Sequence, residues 1–487
     1  MANVKPKTDV VIVGLGWTGS ILAKELTDAG LNVVALERGP DRDTQPDFSY
    51  PRVVDELEGS VHRRYLLSLQ QETVTVRHSP SDIAVPYRQM GSFKPEWFYK
   101  AASEMGWHPY PIPASNASRP YTNPYGCQMG PCNFCGFCSD YGCLNYSKGT
   151  PNVCVLPAVR RSGRFELRAH SQVLKVNLDG TGKKATGVTY LGAQGRETVQ
   201  EADLVLLCAF SLYNVHLMLV SGIGTPYDPE TNTGTIGRNY SYQNLNRVVL
   251  FFGKDVQANG FIGNGGAGTT MDDLNGKQLD NAAAGFVGGG IIWARQPGSG
   301  PVRGINVPPG TPGWGSPWKQ AITDSFRHSF YYEVQGACTS YRQHYLSLDP
   351  TYKDAFGRPL LRMTFDWHDN EIKASQFLVD KAMQMSKVLD PIALSGDAKK
   401  PGTHYNITNY QSTHTCGGAI MGDNPKTSAL NRYLQSWDVP NVFVIGANAF
   451  PQNNGYNPTG LVGGLAYWAA AAIRELYLKN PGPLVQA

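Results

Sequence analysis

The chain has 487 residues, with 43 Lys and Arg against 39 Asp and Glu. That balance points away from a nucleic-acid or acidic-membrane partner. Only 17% of the residues are charged, 41% are hydrophobic, and 53 Gly stand beside 33 Pro. This is the composition of a large, loop-rich globular enzyme and excludes a disordered chain. At about 100–200 residues per domain, the length fits two to four domains or one composite fold. The opening residues lead within a few positions into a strand pattern, so no signal peptide of the chain's own is expected. Leu461–Ile473, the longest nearly apolar run, is shorter than the about 18–20 residues of a membrane helix.

Asp9–Val13 is a valine-rich run that reads as a buried parallel strand. It is followed by G-L-G-W-T-G, with Gly14, Gly16 and Gly19, then by a helical pattern that ends at Gly30. A second apolar strand, Val33–Leu36, ends in Glu37. Strand, glycine turn, helix, strand and acidic end point to a dinucleotide site, NAD or FAD undecided by the motif, with a glycine-rich turn in an unrelated βαβ unit as the alternative. Gly14 permits the tight turn, Gly16 lets the backbone approach a pyrophosphate, and Gly19 allows the helix to pack closely. The helix N-terminus faces the phosphates and Glu37 can bond ribose hydroxyls.

Of the nine cysteines, six lie between Cys127 and Cys154. With no signal peptide and an odd count, a disulfide framework is not expected, and so dense a group points to a metal. Cys208, Cys338 and Cys416 are scattered and read as buried. The run Cys132, Cys135, Cys138, Cys143 wraps thiolates around a compact centre, with Gly130, Gly136 and Gly142 letting amides approach. Such spacing is that of an iron–sulfur loop, without the Pro that follows the last Cys of ferredoxins. The alternatives are zinc, which usually takes two separated CxxC pairs, and redox-inactive cysteines.

Further on, Val248–Phe252 and Ser329–Val334 read as strands of an antiparallel sheet. Asn441–Ile445 is an apolar strand ending at Gly446-Ala447-Asn448-Ala449. Then G-Y-N-P-T-G leads into a helix over about 461–478. A strand–glycine–helix unit near the C-terminus would return to the N-terminal nucleotide, which makes Gly446 and Ala447 cofactor-binding candidates. Gln452, Asn454 and Tyr456 suit a polyhydroxyl substrate, or equally an ordinary polar loop.

These features together resemble the glucose–methanol–choline (GMC) oxidoreductase family. The resemblance rests on the N-terminal fingerprint, A-D-L-V-L-L-C-A-F-S-L-Y-N-V-H-L-M-L-V-S-G-I-G at 202–224, G-R-N-Y at 237–240, H-T-C-G-G-A-I-M-G at 414–422 and N-P-T-G at 457–460. Within the family, the cysteine run and F-P-Q-N-N-G-Y-N-P-T-G resemble the flavoprotein subunits of gluconate 2-dehydrogenase-like bacterial sugar dehydrogenases. The resemblance implies an α/β fold, in which an FAD-binding Rossmann-like domain is interleaved with an α+β substrate domain built on an antiparallel sheet. The FAD domain would take 1–93, 155–245 and 405–487, the substrate domain 246–404, and a Pro- and Cys-rich excursion 94–154. It implies FAD, with the Val173 backbone at the adenine. It also implies oxidation of a CH–OH group of a sugar, sugar acid or related alcohol.

By the same resemblance His414 and Asn457 face the flavin. A neutral imidazole takes the hydroxyl proton and an amide steadies the oxygen. For Asn457 the plainer reading is an N-cap before Pro458. A three-iron or four-iron cluster on Cys132, Cys138 and Cys143, with Cys135 as a fourth candidate, would pass electrons singly to a partner. A small signal-bearing subunit and a membrane cytochrome c are the implied partners, at the periplasmic face of the inner membrane, with a cytoplasmic location as the alternative. One departure stands out. The family's second glycine-rich loop would fall between Phe93 and Lys94 and has no counterpart here. A non-catalytic FAD- and cluster-binding subunit is therefore the rival reading.

Overall fold

A computed structural model describes residues 3–43, 95–133, 142–258, 268–295, 306–406 and 412–486. The N-terminal strand spans Asn3–Val13 and pairs in parallel with Val33–Leu36 on one side and Glu197–Leu207 on the other. Val10–Val13, Val33–Leu36 and Leu204–Leu207 are all buried. Continuous apolar runs of this kind belong to strands covered on both faces. The sheet continues outward through Phe165–Arg168 beyond Val33–Leu36, and through Ala185–Leu191 and Gln172–Leu178 beyond Glu197–Leu207. Val442–Val444 takes the C-terminal part of Glu197–Leu207, again in parallel. Residues 238 positions apart in sequence are thereby neighbours, as when the Asn441 amide donates to the Asp203 carbonyl at 2.8 Å.

The helix Trp17–Asp28 packs against the C-terminal helix Thr459–Ala472, with Gly463 under the Trp17 indole. A six-stranded antiparallel sheet forms the second unit. Its order is Ala393–Gly396, Asn244–Phe251, Ser329–Gly336, Gly290–Arg295, Gly268–Met271 and Tyr110–Pro111. The long helix Asp369–Lys387 covers one face, placing Leu378, Val379, Ala382 and Met385 against Val248, Leu250, Tyr332 and Val334. Phe98, Ala101 and Ala102 of the helix Pro95–Glu104 join the same core. The first part of the Pro- and Cys-rich stretch is thus built into the antiparallel unit, whereas Met129, Val153 and Cys154 pack into the core of the parallel sheet. Among the described residues no helix is long and apolar enough to cross a membrane. The position between Phe93 and Lys94 lies outside the described residues.

Two glycines show how tightly the N-terminal turn is drawn. Gly14 has φ +91°, and a Cβ there would lie 2.7 Å from the Cys208 carbonyl oxygen. A Cβ on Gly19 would lie 2.1 Å from the Gly14 oxygen. Gly464, inside the exposed face of the C-terminal helix, has nothing within 4 Å. Urea unfolding should separate the two kinds of glycine. Gly19→Ala should destabilise by about 1–3 kcal/mol through overpacking, and Gly464→Ala should stabilise by roughly 0.5–1 kcal/mol through helix propensity. Equal effects at both positions would contradict this account of the turn.

Candidate active site

The parallel strands Asn3–Val13, Val33–Leu36, Glu197–Leu207 and Val442–Val444 end together, and the loops that follow them form one crevice. Gly16 is the N-cap of the first helix, in extended conformation. Glu37 holds the turn from the neighbouring strand end. One carboxylate oxygen accepts the Leu15 N–H at 2.9 Å and the other the Gly39 N–H at 2.7 Å. Each oxygen keeps lone-pair capacity for a ribose hydroxyl. The segment 170–173 docks alongside, since His170 N–H donates to the Gly39 carbonyl at 3.1 Å and Ser171 N–H to the Glu37 carbonyl at 2.8 Å. Val173 is buried in the next strand, and its carbonyl already accepts from Arg358 at 3.2 Å.

Gly446 and Ala447 enter the crevice from the C-terminal strand. Buried Asn214 ties this turn to the middle one, its Oδ1 accepting the Ala209 N–H at 2.8 Å and its amide donating to Asn448 Oδ1 at 2.9 Å. The Asn448 side-chain amide nitrogen is buried and has no hydrogen-bond partner among the described residues. An orphaned buried donor costs about 1–3 kcal/mol unless a ligand takes it. A crowded glycine turn, an acid with spare lone pairs and an orphaned amide fit a dinucleotide lying across the strand ends.

His414 precedes the short strand Thr415–Cys416, which pairs with Ser241–Tyr242. This pairing sets the His414 ring beside Gln243, and its Nδ1 hydrogen-bonds Gln243 Oε1. An amide oxygen only accepts, so Nδ1 carries the proton and Nε2 holds the lone pair. Surrounding protein lowers the His414 pKa to about 4 by burial, which keeps the ring neutral. The Gln243 amide nitrogen reaches the carbonyls of Asn454 at 3.2 Å and Tyr456 at 3.3 Å. Asn453 returns the link by donating to the His414 carbonyl at 2.7 Å. The loop bearing Asn457 is thus stitched to His414. Asn457 itself is exposed. It is not the helix N-cap expected as its plainer role, because Pro458 occupies that position and no side chain caps the helix. Tyr456 turns to Asp272 at 2.5 Å, and Asn454 is exposed. Gln243 escaped sequence reasoning, since nothing in S-Y-Q-N marks one amide above its neighbours.

Of the cysteine run, Cys132 and Cys143 are half-buried, while Cys135 and Cys138 lie outside the described residues. The loop is pinched at its base, where the Asn145 amide donates to the Pro131 carbonyl and a Cβ on Gly130 would lie 2.2 Å from the Asn145 oxygen. Among the described residues no three His, Cys, Asp or Glu side chains converge on a metal position. Cys127 and Cys154 stand apart as buried thiols. Burial, reinforced by Cys127, pushes Cys154 up to about 12. Cys208, Cys338 and Cys416 are buried.

Residues 83–244 and 341–466 match the GMC oxidoreductase family. The gluconate 2-dehydrogenase flavoprotein of Pantoea cypripedii is 48% identical, over an alignment of 594 positions that covers 100% of this chain and 97% of that one. Since the chain has 487 residues, many aligned positions of that relative face no residue here. The 2-methyl-1,2-propanediol dehydrogenase of Mycolicibacterium austroafricanum is 25% identical over 78% of this chain and 66% of that one. Pyridoxine 4-oxidase from Mesorbium loti shares the fold, with a TM-score of 0.58 at 13% identity over 95% of this chain and 98% of that one.

Half-buried His414 and buried His344 make stability depend on pH. His414 and His344 both titrate near 4 when folded, lowered by burial, against about 6.5 when unfolded. Between those values the unfolded chain binds protons that the folded chain refuses, so stability falls as pH drops from about 6.5 to 4. Below that window both forms are protonated and the histidine contribution stays constant. Urea midpoints should decline across this window, and less steeply in His414→Gln. An equal slope in that variant would show that the ring is not held neutral by burial.

Proposed function

We propose that this chain, which belongs to the GMC oxidoreductase family, oxidises a CH–OH group of a sugar, sugar acid or related alcohol. The observation that carries this reading is the His414–Gln243 hydrogen bond, which leaves Nε2 as the basic nitrogen. FAD, when bound, supplies the two-electron acceptor. Gly14, Gly16, Gly19 and Glu37 would hold its pyrophosphate and ribose, the 170–173 segment its adenine end, and Gly446, Ala447 and Asn448 the opposite side. His414 Nε2 takes the hydroxyl proton, and the imidazolium that forms keeps its Nδ1–H on Gln243. Asn457, on the loop that Gln243 anchors, steadies the substrate oxygen. The name of the 48% identical relative supports a sugar acid as substrate.

A second part of the proposal is that electrons leave through an iron–sulfur cluster on Cys132, Cys135, Cys138 and Cys143. The spacing and the pinched base of the loop support it. The natural partners would be a small signal-bearing subunit and a membrane cytochrome c, at the periplasmic face. An aromatic face of the C-terminal helix supports such a contact. Leu461, Tyr467 and Trp468 are exposed there, and Tyr467 meets Tyr125, from the cysteine-bearing segment, hydroxyl to hydroxyl at 2.7 Å. The rival reading, a non-catalytic FAD- and cluster-binding subunit, is favoured by one observation: the many aligned positions of the relative that have no counterpart here.

Stopped-flow bleaching of bound flavin by gluconate or a glucoside decides between them. Bleaching supports the enzyme, and a yellow protein inert to the whole substrate panel supports the rival. In the active protein, His414→Ala should slow bleaching about 10²–10⁴-fold with flavin still bound. Gln243→Glu should raise the pKa of the acid limb of the bleaching rate, by placing an anion beside Nδ1. A limb that does not move would remove Gln243 from its positioning role. Cys138→Ser should leave bleaching intact and slow reduction of a one-electron acceptor. Equal loss in both assays would make the cysteine loop structural.

A further inference from the structure

At the edge strand Ala393–Gly396 of the antiparallel sheet, the chain turns past a cavity of about 300 Å³. Trp367, Asp397, Lys399, Lys400, His404 and Tyr405 line it. Lys399 is 7% exposed, yet it is a cation that makes no ion pair among the described residues. Its ammonium donates to the Leu245 carbonyl and to Asn246 Oδ1, both at 3.1 Å. It lies 4.5 Å from the centre of the Trp367 ring. Both acceptors are neutral, and an ammonium carries three protons, so one N–H remains for the cavity.

One carboxylate beside this group, Asp397, offsets its charge in part. Asp397, on the same strand end, spends a carboxylate oxygen on the Arg247 N–H. His404 faces Asp366 at 2.6 Å, so that pair adds no net charge when the ring is protonated. Lys400, exposed at the rim, adds a second positive charge. Burial lowers Lys399 to about 8, and the attraction of Asp397 only partly offsets that desolvation. An anion entering the cavity would meet a desolvated ammonium, a second lysine and an aromatic floor, two cations against the single carboxylate of Asp397. Three hydrogen bonds would then complete the Lys399 valence.

We propose that the cavity over Trp367, with Lys399 at its base and Lys400 at its rim, binds a small oxyanion, a carboxylate or a phosphate. The site goes beyond the oxidation assigned to the His414 loop and does not depend on it. It is built from the antiparallel unit and uses none of the groups assigned to the cofactor or to the hydroxyl proton.

Isothermal titration of the full chain, loaded with flavin that has first been reduced so that gluconate cannot react, with inorganic phosphate and separately with gluconate, tests this. Saturable binding of about one anion per chain is expected for at least one of them, and which one binds identifies the oxyanion. Lys399→Met should weaken it at least tenfold, and Lys400→Glu should weaken it several-fold. His414→Ala should leave it unchanged. Flavin absorbance and a cooperative melt establish that each variant is folded. If Lys399→Met fails to fold, the exposed Lys400→Glu decides alone. No saturable binding of either anion, or binding that both lysine variants leave intact, overturns the proposal. Loss of binding in His414→Ala also overturns it, because the titration would then be reporting the site beside His414.

Discussion

The pairing of one strand, Glu197–Leu207, on both of its edges is the constraint on which the rest of the site depends. On one edge it holds Asn3–Val13, and on the other it holds Ala185–Leu191 first and Val442–Val444 further along. Each partner arrives from a different third of the chain. Their parallel ends bring the Gly14–Gly19 turn, the 208–210 loop and the Gly446 turn to one level. Asn214 then locks the middle loop to the last one through a buried amide pair. Ligands bind at such strand ends in open α/β sheets because helix N-termini and free backbone N–H groups converge there. Closing contacts so distant in sequence costs loop entropy, and burial of the apolar ends Val10–Val13, Leu204–Leu207 and Val442–Val444 offsets it.

The proposed base and the loop beside it depend on a second, smaller joint. The two-residue pairing of Ser241–Tyr242 with Thr415–Cys416 carries little energy of its own. It places the buried carboxamide of Gln243 between His414 and the Asn454–Tyr456 backbone. One side chain thereby fixes a ring tautomer and anchors a loop. Tyr242 secures the same region from the other side, its hydroxyl donating to the Ser412 carbonyl at 2.6 Å and accepting the Ser412 N–H at 2.7 Å. Ser412 Oγ in turn accepts the His414 N–H at 3.2 Å. The histidine backbone and ring are both held before any substrate arrives, which is what low reorganisation requires.

How much of this was legible follows the range of each interaction. The N-terminal unit is local: its valine run, glycine turn and acidic strand end all lie within about thirty residues, and each appears where the spacing puts it. The strand does begin earlier than expected, at Asn3, because Asn3–Lys5 pairs with Thr198–Gln200 in a polar extension that no apolar pattern marks. The strands at 244–251 and 329–336 were visible for the same local reason. Tyr110–Pro111 was not, since two residues carry no period. Nor was Gln243, whose bond to His414 joins positions 171 apart. The role of Asn457 was half legible. Its neighbour Pro458 announced a helix start, but only the fold shows that the cap position falls on the proline, leaving the amide unspent on the helix.

Burial of His414 poses a problem that its hydrogen bond resolves. In its proposed role as base His414 must be unprotonated to act, and burial favours that by lowering its pKa. The same burial weakens it, because the imidazolium is poorly solvated whether its proton comes from water or from a substrate hydroxyl. What matters for rate is stabilisation that grows as the proton arrives. Gln243 Oε1 supplies it. Its bond to Nδ1 is a neutral contact while the ring is neutral and becomes charge-assisted once the ring is protonated, and charge-assisted bonds are roughly twice as strong. The Gln243 amide nitrogen is held by two carbonyls, so its oxygen cannot turn away when the charge appears. A neutral amide achieves this without the permanent anion that would keep the ring protonated at rest. The resting and reacting states are thus served by one contact whose strength follows the proton.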